Sequence, residues 1–382
     1  MSMKALAIAP GNTATVQDLP LPEPGPNEIR IKVHSVALNP IDAWFTWRPM
    51  GKPGRVVGCD IAGVVEKLGP GASQWKVGDR VAGFVQGATS ENERPGGFAQ
   101  YTIAEEDLVF AIPSEVSFDE AATVPVCAVT AAQALFIRLK INAPFASNYT
   151  HAPETAESPA ILIYSAATSL GLYVLELAKH LRTPAGKPYR IFATASPKNH
   201  AKLLKQGVDQ IFDYRDPEWP ARVKAASGGI KYGLDCISEG DSTAKISQTY
   251  VDEGGVITCF RPSDYWNKEV IREGVEGTFS VLYVGLGKEI VFLGHVIPPD
   301  PEWRAFTVAF YKWLSSFKDR LPIAPNPARL MPGGLERIVQ DGLTLLASPA
   351  SSLLIDRPAE PEVPASEPWL RPVSGEKLVY RI

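Results

Sequence analysis

The chain has 382 residues, 45% of them apolar and 21% charged, a globular composition in a chain too long for one hydrophobic core. Its 38 basic and 42 acidic residues leave a net charge of −4, which argues against a nucleic-acid or bilayer partner. No apolar run approaches the roughly 20 residues of a membrane span, and MSMKALAIAPG offers no charged leader before an apolar core, so a cytoplasmic protein is expected.

In chain order, the first third reads as β structure. MKALAIA, NEIRIKVHSVALN, DIAGVVEKLG and DRVAGFV are short apolar runs punctuated by Gly and Pro, as in a compact barrel. PGASQWKVGD (70–79) reads as a turn between two of them. Near residue 120 the rhythm changes, and Glu120 to Arg138 is Ala-rich with helical spacing. From 160 strands and helices alternate: AILIY (160–164), the helix LGLYVLELAKHL (170–181), RIFATA (190–195), a helix from Asn199 to Gln206, QIFDY (210–214), YGLDCI (232–237) and GGVITCF (254–260). Such alternation predicts a parallel sheet wrapped by helices. A long helix is expected between Glu302 and Leu321, and SGEKLVYRI returns to strand character. Residues 143–159 and 356–372, rich in Pro, Ala, Ser and Glu, read as surface loops. The four cysteines, Cys59, Cys127, Cys236 and Cys259, are far apart and form no CxxC pair, so they read as buried free thiols and not as a zinc lobe.

Two turns carry chemistry. After the first strand of the alternating region comes Tyr164-Ser165-Ala166-Ala167-Thr168-Ser169-Leu170-Gly171. Small residues there let backbone N–H groups approach a dinucleotide pyrophosphate at the positive end of a helix, and the Ser and Thr hydroxyls add donors. An ordinary strand–helix turn is also rich in small residues, so the motif gains its meaning from the strand–helix units around it. At the end of the second strand, where NAD-binding folds carry Asp or Glu for the ribose diol, this chain has Thr194-Ala195-Ser196-Pro197-Lys198-Asn199. No carboxylate there repels a 2′-phosphate, and Lys198 offers positive charge, so NADPH is favoured over NADH; alternatively, Lys198 is a solvated surface lysine. Tyr214 is placed to pack on the adenosine.

The stretches ALNPIDAW (37–44), GCDIAGVVEKLGPGASQWKVGDRVAGF (58–84), AATVPVCAVTAAQAL (121–135) and SGEKLVYRI (374–382) resemble the medium-chain dehydrogenase/reductase superfamily over nearly the whole chain. The resemblance implies an α/β protein with a GroES-like β-barrel domain around a Rossmann dinucleotide-binding domain. The barrel domain is expected at 1–125, completed by about 325–382, and the Rossmann domain at 126–324. Zinc-dependent members have Cys near Asn39 and Gly-His-Glu where this chain has Gly58-Cys59-Asp60, so no metal is expected. His34 lies outside that register and could as well be a strand histidine. The form Asn39-Pro40-Ile41-Asp42 resembles that of quinone and enoyl reductases.

Within that group the chain is most similar to trans-acting enoyl reductases of fungal polyketide synthases, including the lovastatin type. The shared features are Asn39-Pro40, the Ser/Thr-bearing turn, Ser196-Pro197-x-Asn199, Asp213-Tyr214-Arg215, Leu234-Asp235-Cys236-Ile237 and Ser374-Gly375-Glu376-Lys377-Leu378. The resemblance implies that Ile41, Asp42, Ala43 and Trp44 line the nicotinamide side. Ala167, Thr168, Ser169 and Leu170 would hold the pyrophosphate, and Ser196, Pro197, Lys198, Asn199 and Tyr214 the 2′-phosphate. Phe260, Arg261, Gly375 and Glu376 would complete the cofactor cleft. Ala131, Ala132, Gln133, Ala134, Leu135, Phe136, Ile137 and Arg138 would face the substrate, as would Lys288, Glu289, Ile290, Val291 and Phe292. Thr130 is placed to hydrogen-bond a substrate or the pantetheine arm, or is an ordinary helix-start threonine. Some relatives carry Lys in place of Trp44, and some mitochondrial enoyl reductases use a Tyr shortly after NPxD. Here Trp47, Arg48, Pro49 and Met50 follow, so no general acid is assigned.

The activity implied is NADPH-dependent hydride transfer to the β-carbon of an α,β-unsaturated thioester. The chain would be carried on the acyl carrier domain of a polyketide synthase or a polyketide synthase–peptide synthetase hybrid, and the enzyme would be a monomer. Two alternatives remain: a zinc-free quinone or 2-alkenal reductase acting on free small molecules, and a non-catalytic NADPH-binding regulatory protein. The aromatic segment Trp303 to Phe317 suits a large tethered substrate or a core helix.

Overall fold

A computed structural model describes residues 1–49, 52–89, 95–145, 158–346 and 366–382. Much of the two expected surface loops, 146–157 and 356–365, lies outside the described residues. The chain divides into two compact units, Met1–Val126 with Tyr283–Ile382, and Cys127–Leu282.

The first unit contains β1 (Ser2–Ala9), β2 (Thr13–Pro20), β3 (Glu28–Ala37), β4 (Asp60–Leu68), β5 (Arg80–Phe84), β6 (Tyr101–Glu105) and β7 (Val109–Ala111). The second contains β8 (Ala160–Tyr164), β9 (Arg190–Thr194), β10 (Gln210–Phe212), β11 (Tyr232–Asp235), β12 (Gly255–Cys259) and β13 (Val275–Phe279). The chain then returns to the first unit with β14 (Ile290–Phe292), β15 (His295–Ile297), β16 (Ala328–Met331) and β17 (Lys377–Arg381).

In the first unit β3 is central, hydrogen-bonded antiparallel to β4, β6 and the C-terminal β17. Its register slips between Arg30 and Ile31 and again between Val33 and Ser35, irregularities that bend a strand and let a sheet curl. Ile29, Ile31, Val33 and Val36 of β3 bury with Ile61, Val65, Val81, Phe98 and Leu378 in one core. Gly58 is required there: its φ is +94°, and a Cβ would lie 2.1 Å from the Phe98 ring.

The second unit is a six-stranded parallel sheet in the order β10-β9-β8-β11-β12-β13. The all-buried strand AILIY forms its centre, as expected for a strand covered on both faces. β13 (VEGTF) was not anticipated, because it is an edge strand whose residues are half-buried or exposed and carry no apolar run.

Two expectations need correction. The helix read over Glu120–Arg138 is broken into α2 (Phe118–Ala122), α3 (Pro125–Ala132) and a π-helical stretch, Gln133–Arg138. Pro125 brings no N–H to continue α2 and so starts a new helix. In the Rossmann unit α4 (Ser169–Ala178), α5 (His200–Lys205), α6 (Trp219–Ser227) and α7 (Ser242–Ser247) follow their strands. The long helix α8 (Pro301–Ser315) belongs to the first unit, so the return boundary is at Tyr283 and not near 325. The reason is its aromatic face: Phe306, Phe310 and Tyr311 are buried, with Tyr311 5.6 Å from the Phe110 ring and 6.4 Å from Phe84. Within Trp303 to Phe317, Phe306, Phe310 and Tyr311 are core, whereas Trp303 and Trp313 are half-buried and Phe317 is exposed.

Candidate active site

In the second unit the chain runs from β8 to β9 on one side and returns to β11 on the other. The switch point therefore lies beside the carboxyl end of β8, where open α/β sheets bind ligands. There Ser165 adopts φ 60°. Its N–H donates to Thr194 Oγ1 at 2.9 Å, and the Ala166 N–H donates to the Thr194 carbonyl at 3.0 Å. Thr168 caps α4 by accepting from the Gly171 N–H at 3.0 Å, a usual role for threonine at a helix start. A Cβ on Gly171 would lie 2.6 Å from the Ser165 carbonyl oxygen and 2.7 Å from Ala166 Cα, so only glycine lets the helix start this close to the strand. Ala167, Thr168, Ser169 and Leu170 stay half-buried at this turn. A helix N-terminus with small residues before it fits a pyrophosphate.

Beyond β9, Ser196 begins the turn Pro197–Asn199, with Asn199 Nδ2 3.5 Å from Ser196 Oγ and Lys198 exposed. Tyr214 is exposed after β10, with the Arg215 guanidinium 5.7 Å from its ring centroid. Arg215 also grips Asp213 through two hydrogen bonds of 3.0 and 2.9 Å, which hold the Asp213 carboxyl below its ordinary range. The acid following β10 is thus neutralised locally.

The ends of β11 and β12 are organised by Asp235, a buried carboxylate to which the sequence assigned no role. It accepts from the Ile237 and Ser238 N–H groups at 3.1 and 2.8 Å and from the Ser242 and Thr243 hydroxyls at 2.6 and 2.7 Å. Ser238, at φ 56°, in turn accepts from the Phe260 N–H at 2.8 Å. Phe260 is therefore fixed from β11, and its neighbour Arg261 is ion-paired with Glu239.

In the first unit the sequence Asn39-Pro40-Ile41-Asp42 explains its own geometry. Pro40 opens α1 (Pro40–Trp47), where its missing N–H is harmless. The Asp42 carboxylate reaches back to accept from the Asn39 N–H at 2.8 Å. The Asn39 side chain is used elsewhere. Its Oδ1 accepts from Lys377 Nζ at 2.6 Å and its Nδ2 donates to Asp60 Oδ2 at 3.0 Å, while Lys377 also donates to Asp60 Oδ2 at 2.8 Å. The other Asp60 oxygen accepts from the Val126 N–H in the first turn of α3 at 2.7 Å. Lys377 is 3% exposed and Asp60 fully buried.

Beside this pair sits a second chain of groups. Burial pushes the Asp42 carboxyl up to about 7, against the opposing pull of the Cys59 thiol and the Asn39 N–H. Asp42 Oδ1 is buried without a hydrogen-bond partner in bonding geometry. The Cys59 sulfur lies 3.2 Å from the Tyr283 hydroxyl, and burial drives both groups well above their ordinary pKa. Neither Lys377 nor Tyr283 was assigned a role from the sequence.

The remaining expected residues divide by burial. Ile41 and Trp44 are half-exposed on α1, whereas Asp42 and Ala43 are buried. Ala131, Ala132, Gln133, Ala134, Leu135 and Phe136 are buried, leaving Ile137 and Arg138 half-exposed; Thr130 is half-buried. Ile290 and Phe292 are buried, with Phe292 edge-on to Phe45 of α1 at 5.9 Å, and Lys288 is ion-paired with Glu105. Gly375 takes φ 64°, and the Glu376 carboxylate is held by Arg329 and Arg371. That carboxylate is committed to its two arginines. His34 is a β3 residue stacked on Phe118 at 4.5 Å.

Among the described residues no group of three or more His, Cys, Asp and Glu is arranged to hold a metal. The Lys377 ammonium lies between the Asn39 and Asp60 oxygens, and that donor set does not fit a divalent cation. The cofactor crevice, by contrast, fits a dinucleotide. No helix among the described residues is long and apolar enough to cross a membrane.

Fold and site together define a medium-chain dehydrogenase/reductase, a superfamily of nicotinamide-dependent oxidoreductases. Residues 25–114 match the alcohol dehydrogenase GroES-like domain. The chain is 33% identical over 384 residues to the trans-enoyl reductase ACTTS2 of Alternaria alternata, covering 100% of this chain and 99% of that one. It is 30% identical to the trans-enoyl reductase RAP2 of Pyricularia oryzae, covering 87% and 94% respectively. Among solved structures, the CurK enoyl reductase superposes with a TM-score of 0.70 at 18% identity, covering 99% of both chains. The quinone oxidoreductase from Coxiella burnetii gives 0.67 at 21% over the whole of both chains. The chain belongs to the trans-enoyl reductases of the medium-chain dehydrogenase/reductase superfamily.

Proposed function

We propose that the protein is a trans-acting, NADPH-dependent enoyl reductase that saturates an α,β-unsaturated thioester carried on the acyl carrier domain of a polyketide synthase or a synthase–peptide synthetase hybrid. The full-length identity to proteins named trans-enoyl reductases carries the reading. The enzyme acts as a cytoplasmic monomer. Its Rossmann unit takes the cofactor, and its GroES-like unit supplies the reacting pocket.

NADPH, when bound, supplies a hydride to the β-carbon. The turn Ala167–Leu170 receives the pyrophosphate at the N-terminus of α4. The choice of NADPH rests on the turn after β9, where Lys198 is exposed, no acid stands in the sequence Ser196-Pro197-Lys198-Asn199, and Asp213 is neutralised by Arg215. Tyr214 stacks on the adenine side. Ile41 and Trp44 form the exposed wall toward the nicotinamide, held rigid because α1 is anchored through Asn39 to Lys377 and Asp60. Fixed alignment of the reacting carbons is the main protein contribution to such a step. Thr130 and Arg138 offer hydrogen-bond donors to the thioester or its pantetheine arm, beside the apolar Ile137, and developing negative charge on the thioester oxygen makes such donors effective.

The experiment is NADPH oxidation by purified protein with enoyl thioesters of several chain lengths and with quinones. The proposal expects turnover of the thioesters; turnover of quinones alone would overturn it in favour of a quinone reductase.

A further inference from the structure

β8 and β11 lie side by side at the switch point of the Rossmann sheet, and each is followed by a serine on left-handed backbone: Ser165 at φ 60° and Ser238 at φ 56°. Few side chains adopt that conformation, and the strain persists only where the surroundings hold it in place. Ser238 is fully buried, and its hydroxyl is used twice. It donates to the Asp235 carbonyl at 2.6 Å and accepts from the Phe260 N–H at 2.8 Å. The Ser238 N–H is held by the Asp235 carboxylate at 2.8 Å, which the Ser242 and Thr243 hydroxyls fix from behind. One hydroxyl therefore joins the segment after β11 to the segment after β12. Two further links follow the same seam: Glu239 is ion-paired with Arg261, and the Gly240 N–H donates to the Tyr265 carbonyl at 3.0 Å.

The seam lies on the second half of the sheet. Asp235 is level with Tyr164 on one side and with Cys259 on the other, and the Cys236 N–H donates to the Tyr164 carbonyl at 3.3 Å. The segment after β11 thus leaves directly beside the phosphate turn of β8, on the side away from β9. In such a fold a dinucleotide lies across the switch point with one mononucleotide on each half of the sheet. The turn after β9 takes the adenosine half in the reading above, which leaves the half-buried Phe260 and Arg261 for the nicotinamide half. We propose that Ser238 is the positioning residue for that half: its hydroxyl, locked by Asp235, fixes the Phe260 backbone against which the nicotinamide mononucleotide rests. The proposal rests on the NADPH reading and does not depend on which thioester is reduced.

Two variants and two ligands test it. Ser238→Gly and Ser238→Ala both remove the hydroxyl, but glycine adopts φ 56° without strain and alanine does not. The two variants should therefore differ in thermal stability and yet share one binding defect. Isothermal calorimetry compares NADPH with adenosine 2′,5′-bisphosphate, which carries the adenosine half alone. In both variants NADPH should bind more weakly, on the order of tenfold, while the bisphosphate binds as it does to the parent. A purely structural serine would not separate the two ligands. Unchanged NADPH affinity in both variants overturns the proposal, as does an equal loss for NADPH and the bisphosphate, or a loss that follows stability and appears in alanine alone. A parent protein that binds neither ligand overturns the NADPH reading itself, a result that the variants cannot mimic.

Discussion

Asp42→Asn should make the GroES-like unit more stable at high pH while leaving it unchanged in acid. Asp42 is 1% exposed, and its carboxyl sits at about 7 against an ordinary value of 3.8. The folded state therefore holds a proton that the unfolded chain has already released. The stabilisation this proton provides is complete below about pH 4 and is lost as pH rises through 7. A shift of about three pH units corresponds to at most about 4 kcal/mol. For a unit of roughly 200 residues, about 2–4 °C per kcal/mol gives a midpoint change on the order of 10 °C. Asparagine retains the acceptor for the Asn39 N–H and never ionises. Thermal unfolding of the parent and the variant from pH 4 to pH 9 should give coincident midpoints at the acid end, with the variant increasingly higher toward pH 8. Other titrating groups are common to both proteins and cancel in the difference. Midpoints that stay parallel across the range would refute the assignment of a raised carboxyl at Asp42.

Lys377→Met leaves Asp60 as an uncompensated buried charge and should destabilise the protein by about 3–5 kcal/mol in urea unfolding; the double variant Asp60→Asn, Lys377→Met should recover much of that loss. Gly171→Ala places a methyl within 2.7 Å of the Ala166 backbone. It should lower stability by about 1–3 kcal/mol and weaken NADPH binding in a fluorescence titration, because the turn must move. Thr168→Ala removes the α4 cap and should cost about 1 kcal/mol by the same unfolding measurement.

The Rossmann sheet was legible because its strands are short apolar runs and its turns carry small residues at the required places. Ser165–Gly171 and Ser196–Asn199 lie where that pattern puts them. β13 escaped because VEGTF is an edge strand without a continuous apolar face. The helix over 120–138 was read as one because alanine spacing does not register the break that Pro125 imposes. The periodicity of α8 revealed a buried face but not which sheet it meets, and Phe110 and Phe84 drew it to the barrel. Long-range polar pairs were the least legible part. Lys377 and Asn39 are 338 residues apart, and neither carries a local pattern announcing the other. Glu376 and Lys288 looked available in sequence because nothing nearby names the arginines and the glutamate that hold them.

The proposed preference of the crevice after β9 for a phosphorylated ribose rests on Lys198 standing there without an opposing acid. Isothermal calorimetry of the purified protein with NADPH and with NADH measures this directly. NADPH should bind more tightly, with the advantage reduced in Lys198→Glu. Tighter binding of NADH by the parent protein would contradict the account.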